Sequence, residues 1–242
     1  KYKLFEYIKN FGFGSKTGID LNGESTGIIF DINKVGPVEL ATTAFGQGVS
    51  VTPIQQVTAV SAAINGGTLY KPYFVKSINE PGTNTVIKEN KKTVVRKVIS
   101  EETSAKVRAA LESVVSNGTG RTAYIDGYRV GGKTGTAQKV ENGRYLVNNY
   151  ILSFIGFLPA DDPQIVVYVA IDNPKGVNQF GGVIAGPPAK AILEDAIKAL
   201  NIEKPSGGME KEYQYTDKKY VTVPDVTGKS KKDAEKELAD FN

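Results

Sequence analysis

The sequence predicts an α/β fold of the α+β kind, an antiparallel sheet flanked by helices with a small α+β module appended. Three observations predict it. Apolar residues recur at helical spacing in three segments. The strand-like runs between them are joined by connections too short for a parallel crossover. After Asn201 the composition turns polar and charged, as at a domain boundary.

Composition narrows the chemistry. With 242 residues and 40% hydrophobic content the chain can bury one sizeable core. No run approaches the roughly 18 apolar residues needed to cross a bilayer. The opening, Lys1-Tyr2-Lys3-Leu4-Phe5, has no apolar signal core, so any anchor or export signal is expected outside these residues. The absence of cysteine excludes thiol nucleophiles, disulfides and thiolate metal sites. The absence of histidine excludes serine-histidine triads and most catalytic zinc sites, leaving Lys, Asp, Glu and Tyr for acid-base work. A net charge of +4 suits an anionic surface such as a cell wall or membrane. No basic-aromatic motif points to nucleic acid, and no cofactor is expected.

Residues 1 to about 50 are glycine-rich, with Phe11-Gly12-Phe13-Gly14 and Asn22-Gly23 to Gly27 as turns, and read as loop held on a larger body. A helix follows from Thr52, which can cap, with Pro53 at the first helical position and Gln55 completing a capping box. Ile54, Val57, Val60 and Ile64 form its stripe, and Asn65-Gly66-Gly67 ends it. Residues 68 to 99 alternate around turn residues, Pro81-Gly82-Thr83-Asn84 among them, and predict a hairpin or meander. Ser100 caps a second helix whose first turn holds Glu101 and Glu102. Val107, Leu111 and Val114 form its stripe, and Asn117-Gly118 closes it.

The next block predicts three antiparallel strands: about 128 to 140, then Tyr150 to Leu158 after a turn at Glu141 to Arg144, then Ile165 to Ile171. The last two are apolar enough to be central. A final helix begins at Pro187-Pro188, with Ala189, Ile192, Leu193, Ala196, Ile197 and Leu200 on its apolar face. The domain reading is therefore 1–202, a linker at 203–219, and a module at 220–242 too short for its own core. In that module Val221 to Val226 reads as extended and Ser230 to Phe241 as a short helix.

The segment that carries chemistry is Val130-Gly131-Gly132-Lys133-Thr134-Gly135-Thr136-Ala137. Lys-Thr-Gly is a signature of serine acyltransferases that use lysine in place of histidine. Lys133 supplies positive charge and a proton relay, and the hydroxyls of Thr134 and Thr136 can bind a substrate carboxylate. Gly135 leaves the strand edge open for a peptide added as a further strand, and the backbone N–H of Thr136 is a candidate oxyanion donor. Strict alternation sets Lys133 and Thr134 on opposite faces, so both can serve only from an edge strand lining a cleft. A second copy, Lys16-Thr17-Gly18, lies in the glycine-rich segment without a strand-like setting.

Gly127 to Thr134 also spells the phosphate-binding loop of nucleotide hydrolases, with Ile165 to Asp172 in place of its magnesium-linked strand. That alternative requires the segment to open a helix. Gly135, Asn142, Gly143, Asn148 and Asn149 follow instead, with no helical stripe.

Taken together, Phe11 to Gly14, Thr17 to Leu21, Ala44 to Gly48, Thr52 to Gly67, Gly132 to Ala137, Phe154 to Phe157 and Gly181 to Pro188 resemble the class B penicillin-binding proteins. The resemblance covers nearly the whole chain. Val223-Pro224-Asp225-Val226 with Gly228 resembles the opening of a PASTA module, and a single such tail resembles the family's sporulation-specific branch. The resemblance implies a membrane-anchored, extracytoplasmic peptidoglycan DD-transpeptidase acting through a serine acyl-enzyme. Peptidoglycan stem peptides are its implied substrates, β-lactam antibiotics its ligands and a membrane glycosyltransferase its partner. It assigns Lys133, Thr134 and Gly135 to the third family motif, with Thr136 sharing in carboxylate and oxyanion binding.

Two family motifs are not matched in these terms. No Ser-x-x-Lys tetrad occurs in the 242 residues, and Ser-x-Asn is matched only by Ser77-Ile78-Asn79, in the hairpin region. Both true motifs are expected before Lys1, and the chain alone is expected to be inactive. An inactive β-lactam or cell-wall sensor of the same fold is the alternative, distinguished by the sequence upstream of Lys1. A β-lactamase would need an extra activated water and a compact chain without the PASTA-like tail.

Overall fold

The glycine-rich first fifty residues, expected as loop, carry two helices: α1 (Tyr2–Asn10) and α2 (Pro37–Ala44). The computed structural model describes residues 1–83, 85–205, 207 and 223–239. Neither helix announces itself in sequence. Lys1 gives α1 no side-chain cap and Phe5 is its one buried residue, while α2 starts at Gly36, whose N–H donates to Glu39 (2.9 Å) in place of a capping side chain. Between them the chain is loop apart from one 3-10 turn (Ile32–Lys34), and α3 (Pro53–Ile64) holds it. Thr52 accepts from Gln55 N–H, and the Gln55 side chain accepts from Thr52 N–H, completing the expected capping box. The buried amide of Gln55 then donates to Ser15 O (2.8 Å) and Thr26 O (2.9 Å), so one side chain caps the helix and pins two loop passes.

The hairpin or meander expected over 68–99 is two nested antiparallel pairs. β1 (Thr68–Lys71) and β4 (Thr93–Lys97) pair with each other around β2 (Ser77–Asn79) and β3 (Val86–Glu89), which pair between them. Asp20 reaches from the glycine-rich segment to the start of the inner pair, accepting from Phe74 N–H (2.6 Å) and Val75 N–H (3.0 Å).

Helix α4 (Glu101–Ser116) begins at Ser100, which accepts from Thr103 N–H. Its buried face is rotated from the expected one. Ser104, Glu112, Val115 and Ser116 are buried, whereas Val107, Leu111 and Val114 are only half-buried. The polar residues are tolerated because they are paired. Ser104 Oγ donates to Ala63 O and accepts from Gly66 N–H, and Glu112 takes both Nε (2.9 Å) and a terminal nitrogen (2.7 Å) of Arg129.

The main sheet has the order β5 (Gly131–Glu141), β6 (Arg144–Leu158), β7 (Ile165–Asp172), antiparallel throughout. Asn142 and Gly143, both at positive φ, make a two-residue turn, so β6 starts at Arg144 and not at Tyr150. Among the described strands β6 has a partner on both sides, and β7, expected to be central as well, has β6 on one side. The apolar content of β7 reflects helices on both faces. Val167, Val169 and Ile171 pack with α6 residues on one side, and Val166 packs with Ile64 and Val60 of α3 on the other.

After β7 come a short helix, α5 (Gly181–Ile184), and α6 (Gly186–Leu200). Helix α6 buries Ala189, Leu193 and Ile197, but leaves Ile192 and Leu200 exposed, a narrower face than expected. Asn201 ends it in the left-handed conformation. Strand β6 joins the layers: Phe154 and Leu158 face the α6 core, and Phe157 faces α3.

Contacts divide the chain at Lys211 into units 1–211 and 212–242. In the second, α7 (Lys231–Leu238) falls within the helix expected over Ser230 to Phe241, and Ser230 caps it by accepting from Asp233 N–H. Most of the expected 203–219 linker, the first residues of the expected 220–242 module and its last three lie outside the described residues.

Candidate active site

Strand β5 is the border of the main sheet, and its outer edge carries the Lys133-Thr134-Gly135-Thr136 motif. In an antiparallel pair successive residues point their N–H and C=O groups alternately toward and away from the partner strand. Two carbonyls two residues apart show which ones point away. Thr134 O accepts from Lys133 Nζ (2.9 Å), and Thr136 O lies 3.5 Å from Gln47 Nε2. The Thr136 N–H therefore shares the free edge with them, where a strand laid alongside would meet it.

The edge position resolves the difficulty of alternation. Thr134 and Thr136 lie on the α6 side of the sheet. Thr134 Oγ1 pairs with Thr119 Oγ1 (3.1 Å), and Thr136 Oγ1 accepts from Gly181 N–H (3.1 Å), leaving its own proton to donate. Lys133 starts on the other side, but its exposed side chain curls over the border to the Thr134 carbonyl. Ammonium and hydroxyls thus meet at one edge.

Glycines let the neighbouring element approach this closely. A Cβ on Gly181 would lie 2.1 Å from Gly135 O and 2.7 Å from Ser153 O, and one on Gly182 would lie 2.3 Å from Thr119 O. Gly181→Ala is expected to cost about 1–3 kcal/mol in urea unfolding, because backbone and not a flexible side chain stands in the way. An unchanged unfolding midpoint would show that α5 does not bear on β5.

A cleft of about 660 Å³ opens along this edge, lined by Lys133, Thr134, Gly135 and Thr136, with Phe45, Gln47, Gln56 and Tyr168 among its other walls. The four motif residues that the sequence singled out are brought together here. Phe45, Gln47 and Tyr168 were not foreseen. The signals for Gln47 are its place in the Ala44 to Gly48 segment and the flanking glycines, Gly46 and Gly48, both at positive φ. The other motif matches fall elsewhere: Lys16-Thr17-Gly18 lies in the glycine-rich loop, and Ser77-Ile78-Asn79 is the exposed strand β2. The nucleotide reading fails on geometry, since Gly131 opens an eleven-residue strand and no helix follows to hold phosphates.

The start of β5 is also fixed from behind. Arg129, two residues before the strand, forms its paired contact with Glu112 of α4 and reaches Asp161 (3.2 Å). The Glu112 hydrogen bonds, opposed by burial and aided by both carboxylates, hold the Arg129 guanidinium even further above neutrality than usual.

Comparison with known proteins agrees with this geometry. A family model described as the penicillin binding protein transpeptidase domain matches residues 1–194. Stage V sporulation protein D of Bacillus subtilis (strain 168) is 60% identical over 242 residues, covering 100% of this chain and 38% of that protein. Peptidoglycan D,D-transpeptidase FtsI of Escherichia coli (strain K12) is 33% identical over 202 residues, 83% of this chain and 32% of the relative. Among solved structures, penicillin binding protein 3 of Mycobacterium tuberculosis complexed with ampicillin superposes with a TM-score of 0.77 at 28% identity, covering 88% of this chain and 50% of that one. The apo transpeptidase domain of penicillin-binding protein 3 from Burkholderia pseudomallei gives 0.73 at 32% identity, covering 85% and 60%. The chain spans about a third of the length of the curated relatives it matches.

Proposed function

The chain belongs to the penicillin-binding protein transpeptidase domain family, and from that premise we propose that it supplies the substrate-binding edge of a peptidoglycan D,D-transpeptidase. The observation that carries this reading is the free border of β5, where Lys133, Thr134 and Thr136 line one cleft. A stem peptide adds to that border as an antiparallel strand. Its terminal carboxylate meets the hydroxyls of Thr134 and Thr136 and the positive charge of Lys133. The Thr136 N–H faces the oxygen that becomes negative when a serine attacks the peptide carbonyl.

The serine itself is proposed to come from sequence outside residues 1–242, since no Ser-x-x-Lys tetrad occurs within them. The remaining assignments belong to the same proposal: β-lactams as substrate mimics at the same edge, a glycosyltransferase partner, an extracytoplasmic site of action through an anchor elsewhere, and a PASTA module containing α7. The 60% identity to a sporulation protein supports a sporulation role. Among the described residues no helix is long and apolar enough to cross a membrane.

Labelled penicillin tests the reading. The 242-residue chain is expected to take no stable label, and a longer natural chain carrying Ser-x-x-Lys to take one label per molecule. Labelling of the shorter chain would overturn the placement of the nucleophile. A longer chain that takes label yet never turns over a D-Ala-D-Ala peptide would be a sensor, not an enzyme.

A further inference from the structure

The unused Lys-Thr-Gly copy lies in a second cavity, well apart in composition from the cleft along β5. A groove of about 520 Å³ runs between the glycine-rich loop and the β1–β4 pair. Lys9, Lys16 and Arg96 line it together with Phe13, Phe30 and Tyr70. All three cations are exposed at its rim. The charge continues beyond it. Residues 68–97 hold seven basic side chains against two acidic ones, a net of +5 in a chain whose total is +4.

These cations are poorly neutralised by the protein. Among the described residues Lys9, Lys71, Lys92 and Arg96 have no carboxylate within ion-pair distance. Lys92 instead stands over the Tyr70 ring, 4.4 Å from its centre. The two nearby carboxylates are turned to backbone. Glu24 accepts from Thr17 N–H, Thr17 Oγ1 and Gly18 N–H, and Asp20 accepts from Phe74 and Val75 N–H. They shape the loop on which Lys16 stands, and Lys16 is left to offset Glu24. A recessed floor with an arginine and lysines around it suits tetrahedral anions, which guanidinium binds through two parallel hydrogen bonds. The seven basic side chains of residues 68–97 suit several such anions at once, as a polymer presents them.

We propose that this groove and the adjoining face of the nested strand pairs bind a linear polymer of phosphate anions, at a site separate from the β5 cleft and independent of the transpeptidase reading. The probe is long-chain inorganic polyphosphate, followed by fluorescence anisotropy of the labelled 242-residue chain against salt concentration. Binding is expected to fall steeply with salt, and the Lys16→Glu/Arg96→Glu double variant to weaken it by at least about tenfold. The control is Lys190→Glu/Lys198→Glu on α6, which makes the same change in net charge and is expected to weaken it less than about threefold. Equal losses in the two variants would reduce the effect to net charge and overturn the site. So would orthophosphate binding as tightly as the polymer, or absence of polymer binding. Binding to phosphatidylglycerol vesicles in preference to polyphosphate would assign the face to a membrane and overturn the proposal as well.

Discussion

Lys133→Ala, made in a chain that includes a Ser-x-x-Lys segment, is expected to slow acylation by penicillin by about 10²–10⁴-fold while leaving the unfolding temperature unchanged. The separation of the two effects follows from where the residue sits. Its side chain is exposed and hydrogen-bonds to the carbonyl of the next residue, so folding gains little from it. At the same border it is the one ammonium beside the two threonine hydroxyls of the cleft lining. Lys133→Arg sharpens the result. It keeps the charge that draws a carboxylate, but a guanidinium does not give up its proton. Affinity for a carboxylate-bearing ligand should therefore survive better than the acylation rate. Second-order acylation constants measured by stopped flow decide the matter, and an alanine variant that reacts at the parent rate would remove Lys133 from the chemistry.

The largest effect on stability is expected at Glu112. Its side chain is 3% exposed and holds Arg129, itself 26% exposed, through two hydrogen bonds. Removing Glu112 leaves the Arg129 charge with only the half-exposed Asp161 as partner, at a cost of up to about 3–5 kcal/mol. Glu112→Ala should show that loss in urea unfolding. Glu112→Leu combined with Arg129→Met should recover most of it, because the two charges leave together and Asp161 is exposed enough to be solvated. A double variant as unstable as the single one would mean that the pair contributes through geometry that apolar side chains cannot replace.

How much of this was legible depended on how local each signal was. Helix α3 was readable because Thr52, Pro53 and Gln55 place the cap, the fixed φ and the reciprocal hydrogen bond within four residues. The chemistry of β5 was readable for the same reason, with its four site residues contiguous. Helices α1 and α2 were hidden by weak caps and a glycine-rich setting, since α1 has no side-chain cap and Phe5 as its one buried residue. The rotated face of α4 was hidden because a glutamate on the buried side makes sense only once Arg129, seventeen positions later, is seen to meet it. Gln47 approaches Thr136 across 89 residues, and nothing in its neighbourhood names that partner. Whether strands or helices cover β7 could not be read from its apolar residues, which look alike in either case.

The nesting of β2 and β3 inside β1 and β4 makes residues 72–92 a detour. The chain leaves at Lys71 and returns at Thr93, which pair directly, so apart from the Asp20 contacts near its base the scaffold meets two adjacent ends. Shortening a closed excursion changes its closure entropy only slowly with length. Evolution or an engineer can therefore resize, recode or graft onto the tip near Pro81 and Gly82, using it as an attachment port for a fluorophore or affinity handle while the catalytic border keeps its shape.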